Sequence, residues 1–389
     1  MKRLRQVLRI ASRECGILIK NPIYLFCMVL FPITVLMFFV SMMKNGQPVD
    51  MPVGVVDQDN TSTTHALVRK LDSFQSSHVV GHYATMSDAR QAIQRNEIYA
   101  FIYFPEGTTE ALLSSRQPKI SFYYSYSSVT AGALLYRDLK TISTLGSAAV
   151  GQATMRAKGY TDKQISTFLQ PIVVDLHPIN NPWVNYNVYL STMIVPGLFL
   201  LFIFLVTTYS IGTELKFNDS KQWMSMADNN IYVALTGKLL PQFLIFVSLF
   251  MFYIYYVFGH LGFPHPGGTA RLVALSVLTV LAAQGFGVFA FGLFPSLRMS
   301  MSICSLWAML SFTTAGSTFP IQAMDTPIQA LAQLFPLRHY YMTYQICIFN
   351  GYPLTDALYH IGMLALFALL PLFVVHIIRK AMLEYVYIP

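Results

Sequence analysis

Residues 302–344 of the 389-residue chain have the sequence SICSLWAMLSFTTAGSTFPIQAMDTPIQALAQLFPLRHYYMTY. The first part, Ser302–Thr318, is apolar enough to lie in a bilayer, whereas the second part is polar and contains several prolines. In that second part we expect Thr326 to be the N-cap of a short helix, Pro327 to occupy its first position and Gln329 to close a capping box.

This short helix is expected to be amphipathic. Ile328, Leu331 and Phe335 recur at helical spacing on one face, and Pro336 is expected to end the helix. A span followed by a short amphipathic helix and another span is typical of a re-entrant or interface-lying element, here residues 319–344. An ordinary loop with one helical turn is the alternative interpretation.

The same stretch resembles the type-2 ABC transporter permeases. It has a Gly-Ser-x-x-Phe-Pro sequence, a proline-started helix, and Phe-Pro-Leu-x-x-Tyr before the last span. With the layout given below, the likeness extends over most of the chain and is to bacterial exporter permeases with a large extracytoplasmic insertion between the first two spans. The matching residues are Gly316, Phe319, Pro320, Pro327, Gln329, Leu331, Pro336, Leu337 and Tyr340.

The composition indicates a membrane protein. The chain is 54% hydrophobic and 11% charged, against roughly a quarter charged in soluble domains. Residues 50–185 carry 11 Lys/Arg and 11 Asp/Glu, so the net charge of +8 belongs entirely to the remainder, which carries 15 and 7. A charge excess confined to the membrane part favours orientation in a bilayer and argues against nucleic-acid binding. The four cysteines have no spacing typical of zinc sites or of a disulfide framework.

Six apolar stretches approach or exceed the ~20 residues that cross ~30 Å of hydrocarbon. A cleaved signal peptide is the alternative for the first, but the stretch is too long and no small-residue cleavage site follows it. The predicted fold class is therefore a polytopic α-helical membrane protein with six transmembrane helices and an inserted α/β extracytoplasmic domain. The predicted spans are residues 23–43, Val188–Ile211, Leu239–Phe258, Leu272–Phe294, Ser302–Thr318 with its flanks, and Ala357–Ile378.

Residues 1–22 are predicted to form a basic amphipathic helix on the cytoplasmic leaflet. In the resembled family a connecting helix occupies this position. Its apolar face is expected to carry Leu4, Leu8, Ala11, Cys15 and Leu18, with Arg5, Arg9 and Arg13 on the opposite side.

Residues 44–186 are water-soluble in character, and strand patterns alternate there with helical ones, which predicts a small α/β domain. Expected strands are Pro52–Val56, His78–Tyr83, Ile98–Phe104 and Lys119–Ser125, and expected helices lie near 87–96, 105–113 and Val129–Lys158. A further capping box is expected at Thr161 and Gln164.

The distribution of positive charge predicts the orientation. With both termini in the cytoplasm, the inner segments, including the tail at 381–389, hold twelve Lys/Arg, and the short outer segments hold Lys44, Arg271 and Arg338. We therefore expect a multi-pass protein of the bacterial inner membrane, with the α/β domain and the Thr326 helix outside. Residues 187–380 would comprise spans two to six.

No catalytic constellation is present in the sequence. There is no phosphate-binding loop, HExxH or GxSxG sequence, and the six predicted spans contain no carboxylate. Two histidine pairs, His78 with His82 and His260 with His265, are interpreted as exposed residues in preference to metal ligands. Gln284 is a candidate for lining a translocation path, although an interhelical hydrogen bond is the favoured alternative.

Residues 212–237 form the one sizeable predicted cytoplasmic loop, and they include isolated large apolar side chains that are expected to meet a partner. In the resembled family this loop begins with a Gly-Thr-x-x-Glu-like sequence, here compressed to Gly212, Thr213 and Glu214, and forms a coupling helix that touches a separate ATPase subunit. The candidate ATPase-coupling residues are Glu214, Lys216, Phe217, Lys221, Trp223 and Met224.

The resemblance implies the permease subunit of an ATP-driven exporter, itself not an enzyme. It would act by alternating access as a dimer with a second copy or a paralogue, the second and fifth spans lining the path. ATP and magnesium would be bound by the ATPase chains and no cofactor by this chain, and a periplasmic adaptor and outer-membrane channel are further expected partners. An outer gate would comprise Phe319, Pro320, Thr326, Pro327, Leu331, Phe335 and Pro336. The alternatives are a multi-span receptor or envelope-assembly protein and, less favoured, an intramembrane enzyme.

Overall fold

A computed structural model describes residues 2–114, 116–172, 174–177 and 179–386. The chain divides into two compact units, one formed by Met1–Lys44 with Ile179–Pro389 and the other by Asn45–Pro178. The first unit is helical, and the second contains a small sheet flanked by helices.

The chain begins with helix α1 (Lys2–Lys20), followed by α2 (Pro22–Met42). Asn21 caps the start of α2 by accepting a hydrogen bond from the backbone N–H of Ile23 at 3.0 Å. Helix α1 buries Ile10, Ala11, Glu14 and Leu18.

The expected apolar face of α1 is therefore divided. Ala11 and Leu18 are buried, whereas Leu4, Leu8 and Cys15 are exposed. The buried face of α1 includes Glu14, because this carboxylate has a partner inside the protein. Leu4, Leu8 and Cys15 therefore stay on the surface.

The second unit contains a four-stranded sheet in the order β2-β1-β3-β4. Strand β1 pairs in parallel with β2 and β3, and β3 pairs with β4 in antiparallel fashion. The elements in chain order are β1 (Met51–Asp57), α3 (Ser62–Asp72), β2 (Ser77–His82), α4 (Met86–Gln94), β3 (Ala100–Phe104), α5 (Thr108–Leu113), β4 (Ser121–Tyr124), α6 (Val129–Ala157) and α7 (Asp162–Leu169).

Alternating strands and helices were predicted for this region, and the boundaries differ by a few residues. Residues of α3 and α6 form one core with the central strands, and residues of α4 form a second one with Val56 and Phe101. Capping boxes begin α3 at Thr61 and α7 at Thr161, where the side chain of Gln164 accepts from the Thr161 N–H at 3.0 Å.

The first unit continues with α8 (Asn187–Lys216), α9 (Ser220–Ser225), α10 (Ile231–His260), α11 (Thr269–Leu293), α12 (Leu297–Thr314), α13 (Thr326–Ala332), α14 (Pro336–Thr343) and α15 (Leu354–Glu384). Among the described residues, five helices are long and apolar enough to cross a membrane: α2, α8, α10, α11 and α15. The predicted fifth stretch forms α12, which packs against α8 but is not among these five, since Arg298 and several serines lower its hydropathy. The count of six spans stays a prediction.

The segment around Thr326 differs from expectation in its boundaries. Asp325, not Thr326, is the N-cap, and the Gln329 side chain donates to the Met324 carbonyl at 2.8 Å instead of closing a capping box. Pro336 does not end this helix; it begins α14, where its missing N–H costs no hydrogen bond. Residues 319–344 thus contain two short helices, α13 and α14.

We predict that residues 45–178 fold without the rest of the chain. They form a compact unit with a buried sheet core, and ~130 residues suffice for an independent domain. The fragment should be soluble without detergent and show a cooperative thermal transition by circular dichroism. A fragment that stays in solution only with detergent, or melts without cooperativity, would contradict this prediction.

Candidate coupling site

Four charged side chains meet where α1, α8 and α10 pack together; three of them are buried and Arg13 is partly exposed. Lys238 Nζ lies 2.6 Å from Glu214 Oε1 and 2.9 Å from Glu14 Oε2. Arg13 donates from Nη1 to Glu214 Oε1 at 2.7 Å and from Nη2 to Oε2 at 3.1 Å, and its Nη1 also lies 2.9 Å from Glu14 Oε1. The two cations and two carboxylates form one connected charge cluster with no net charge.

Close helix packing brings these charges together. A Cβ atom on Gly237 would lie 2.8 Å from the Ile10 Cβ, so only glycine allows α10 to approach α1 this closely next to Lys238. Gly212 has the same role on α8, where a Cβ atom would lie 2.6 Å from Leu297 Cδ1. In the Gly-Thr-Glu sequence, Gly212 therefore allows close helix packing, and Glu214, two residues later, supplies a carboxylate of the cluster.

Three of the four side chains are almost fully removed from solvent, whereas Arg13 is 21% exposed. Side-chain exposure is 1% for Glu14, 4% for Glu214 and 2% for Lys238. Burial raises the pKa of Glu14, and this effect is opposed by the attraction of the Lys238 ammonium. Each buried charge is tolerable only because the other members supply opposite charge and hydrogen bonds.

Trp223 lies against this cluster. Lys238 Nζ is 5.2 Å from the centroid of the Trp223 ring, within the range of a cation–π contact. The expectation that Trp223 and Met224 present apolar surface to a partner is wrong, because both side chains are fully buried at 0% exposure. They pack in a core with Ile10 and residues of α8, α10, α11 and α15.

The remaining candidates of the loop are on the surface. Lys216, Phe217 and Lys221 are exposed, Phe217 to 63%, and Lys216 Nζ lies 5.6 Å from the Phe217 ring centroid. Glu214 is the buried exception, and it belongs to the charge cluster. The available surface of the loop is thus centred on Phe217.

Three members of the charge cluster were not identified from the sequence as site residues: Arg13, Glu14 and Lys238. The predicted second and third spans ended at Ile211 and began at Leu239, which placed Glu214 and Lys238 outside the membrane part. In the structure the apolar helices α8 and α10 continue through both residues, and the membrane boundaries themselves stay a prediction. Two features of the sequence could have identified them. Glu14 is an isolated glutamate in a basic helix, and Glu214 and Lys238 are opposite charges near the ends of two successive predicted spans.

The candidate outer-gate residues are not gathered into one site. Phe319 and Leu331 are exposed to 52% and 42%, and Pro320, Thr326 and Pro327 are exposed as well. Phe335 is fully buried and its ring centroid lies 5.0 Å from that of Trp307. Phe335 is thereby separated from the exposed face on which it was expected, because it lies beyond the end of α13.

Gln284 makes the interhelical contact that was the favoured alternative. Its side-chain amide donates to the carbonyl of Leu239 at 3.2 Å, which links α11 to α10. In the part of the chain that the structure describes, no group of three or more His, Cys, Asp or Glu is arranged to hold a metal ion. His78 pairs with Asp72 at 3.1 Å, and His260 stacks on Tyr256.

Comparison with known proteins identifies the family. The family model for the ABC-2 family transporter protein matches residues 22–376. The chain therefore belongs to the ABC-2 family, whose members are membrane subunits of ABC transporters and imply an ATPase partner in general. No curated protein matches the chain significantly.

The charge cluster leads to a stability prediction. Lys238→Met leaves two buried carboxylates with Arg13 alone, and should lower the free energy of unfolding by about 3 kcal/mol. The matched control Lys216→Met removes an exposed lysine near the same site and should change it by less than about 1 kcal/mol. Thermal unfolding of the full chain in detergent measures both.

A double substitution tests the pairing itself. Glu14→Gln with Lys238→Met removes one charge of each sign and leaves the Arg13–Glu214 pair intact, so the double variant should be more stable than Lys238→Met alone. Equal melting temperatures for Lys238→Met and Lys216→Met would mean that the cluster does not hold the helices together.

Proposed function

We propose that the chain is the permease subunit of an ATP-driven exporter and that loop 212–237 with α1 receives the motion of a separate ATPase. The charge cluster is the observation that carries this proposal. It links α1 and the end of α8 to α10 through hydrogen-bonded charges. A displacement of the loop surface would therefore move two spans, α8 and α10, at once.

The physical basis is the cost of separating buried opposite charges. Moving α1 away would separate Glu14 from Lys238 and Arg13 from Glu214, which is more costly than moving the helices together. A second contact at the same end strengthens the link, since Lys2 and Gln6 both bind the Asp228 carboxylate, at 2.9 Å and 2.8 Å. Helix α1 and the loop would therefore move as one body.

The ATPase would contact the exposed surface of this body. Phe217 exposes 63% of its area beside Lys216, and Tyr232 exposes 51%; aromatic side chains are enriched among the anchors of interfaces. This assignment replaces Trp223, which supports the loop from inside. ATP and magnesium would be bound by that partner chain.

The remainder of the proposal concerns the orientation of the chain in the membrane and the translocation path. With Lys and Arg concentrated on α1 and near the loop, the positive-inside rule favours cytoplasmic termini in the bacterial inner membrane. The α/β unit would then lie outside and could bind the passing substrate or a periplasmic adaptor that leads to an outer-membrane channel. A second copy or a paralogue would complete the path, to which Gln284 stays a candidate contributor, with residues 319–344 at its outer end.

The coupling assignment predicts the effect of Phe217→Ala. A contact worth about 2 kcal/mol should weaken association with the ATPase roughly thirtyfold and impair transport. Membrane abundance should be normal, because the side chain is not part of a core. Co-purification of the ATPase at dilute concentration measures the association.

Two control variants separate coupling from stability. Phe373 is 71% exposed on α15, and Phe373→Ala should leave ATPase association unchanged. Trp223→Ala should reduce abundance or melting temperature, since removing a buried tryptophan typically costs 3–5 kcal/mol. If Phe217→Ala keeps full association and full transport, this surface does not couple the two chains.

The orientation is tested by cysteine labelling in a background without the four native cysteines. Single cysteines at the exposed positions Ser127 and Asp325 should react with an impermeant maleimide in intact spheroplasts. A cysteine at the exposed position Ser225 should react only after permeabilisation. Labelling of Ser225→Cys in intact spheroplasts would refute the proposed topology.

A further inference from the structure

Arg338 is a buried cation without an opposite charge. It lies in α14, and only 8% of its surface is exposed. Its Nε has no hydrogen-bond partner, and no carboxylate of the described residues lies within 4.0 Å of its guanidinium. Burial lowers the pKa of Arg338, but a guanidinium stays charged at physiological pH.

A second unpartnered group belongs to the loop beside it. The Ser317 side chain is 5% exposed, and its hydroxyl oxygen has no hydrogen-bond partner among the described residues. The neighbouring Gly316 has a φ of +99°, and a Cβ atom there would lie 3.7 Å from Arg338 Nη1. The guanidinium therefore lies along the loop that carries Ser317.

The described neighbours of Arg338 leave its positive charge uncompensated. His339 follows in the chain, with its Nε2 hydrogen-bonded to the Gln333 carbonyl at 2.8 Å and its Nδ1 3.0 Å from His360 Nδ1. Tyr359 is the remaining titratable neighbour, and its neutral hydroxyl does not balance the guanidinium. A buried arginine with such neighbours favours binding of an acceptor that the described residues do not supply.

The same segments also carry exposed apolar side chains. Phe319 follows the Ser317 loop and is 52% exposed, and Leu334, which lies in the turn between α13 and α14, is 48% exposed. Leu358, next to Tyr359 on α15, is 61% exposed. A ligand with an anionic group for Arg338 and an apolar chain for these residues would satisfy both features.

We propose that Arg338 and Ser317 form a binding site for the oxyanion of an amphiphile, a phosphate or carboxylate group whose apolar chain lies along the exposed residues of this region. Guanidinium groups bind both oxyanions through paired hydrogen bonds, and a serine hydroxyl supplies a further donor. The site does not depend on the ATPase or on the direction of transport.

The test uses the full chain purified in a neutral detergent. Thermal unfolding is followed with added dioleoylphosphatidylglycerol, dioleoylphosphatidylcholine or inorganic phosphate. We expect the melting temperature to rise with the anionic lipid and not with the zwitterionic one, because only a ligand that binds the folded state raises it. A rise with inorganic phosphate as well would assign a free oxyanion site, and a rise with the lipid alone would assign a headgroup site that also needs the chain.

Three variants assign the effect to this site. Arg338→Met should be at least as stable as the wild type without lipid, because it removes an uncompensated buried charge, and its affinity for the anionic lipid should fall about tenfold or more. Ser317→Ala should reduce the affinity by a smaller factor. Arg298→Gln removes an exposed arginine from α12 and should keep the full response.

Several results would overturn the proposal. These are a wild type whose melting temperature responds to neither lipid nor phosphate, an Arg338→Met variant that keeps the response, and an Arg298→Gln variant that loses it. A destabilised Arg338→Met variant without lipid would mean that the protein itself satisfies the guanidinium. If that variant does not fold, an unchanged response in Ser317→Ala would count against the site. None of these results bears on ATPase association, so the proposed coupling function would be unaffected.

Discussion

Four charged side chains, the buried Glu14, Glu214 and Lys238 and the partly exposed Arg13, are stable in this protein only as a set. Each would be costly alone, and together they are neutral and mutually hydrogen-bonded. The requirement to keep them together fixes the position of α1 against α8 and α10. Since the residues that meet are as much as 224 positions apart, the cluster joins the beginning of the chain to its second and third membrane helices.

The same constraint explains the arrangement of loop 212–237. Trp223 is placed under the Lys238 ammonium, and Met224 packs beside it in the same core, so the loop is built on the cluster instead of projecting from it. Phe217 is left on the outside. A loop with a packed interior and exposed aromatic side chains is suited to the coupling function proposed above, in which it passes a displacement to the helices that it joins.

The two polar regions of the helical unit differ in charge balance. Arg13 and Lys238 are matched by two carboxylates, and this match makes the region a fixed joint. Among the described residues Arg338 has no such partner, and the nearby Ser317 hydroxyl has none either. A balanced cluster needs nothing further from its surroundings, whereas an unbalanced one favours binding of an anion. The difference suggests a mechanical role for the first region and a ligand-binding role for the second.

The sequence by itself determined the membrane class, the inserted α/β unit, the family and the capping box at Thr161, because hydropathy, strand–helix alternation and capping are properties of neighbouring residues. Tertiary structure alone decided which face of α1 is buried, that Trp223 lies inside, and that Glu214 and Lys238 continue their helices. These outcomes depend on partners far away in the chain. From the sequence alone, Lys238 at the start of an apolar stretch is interpreted as a span boundary. In the structure Glu214 from another helix neutralises it, and the residues next to Lys238 in the chain give no information about Glu214.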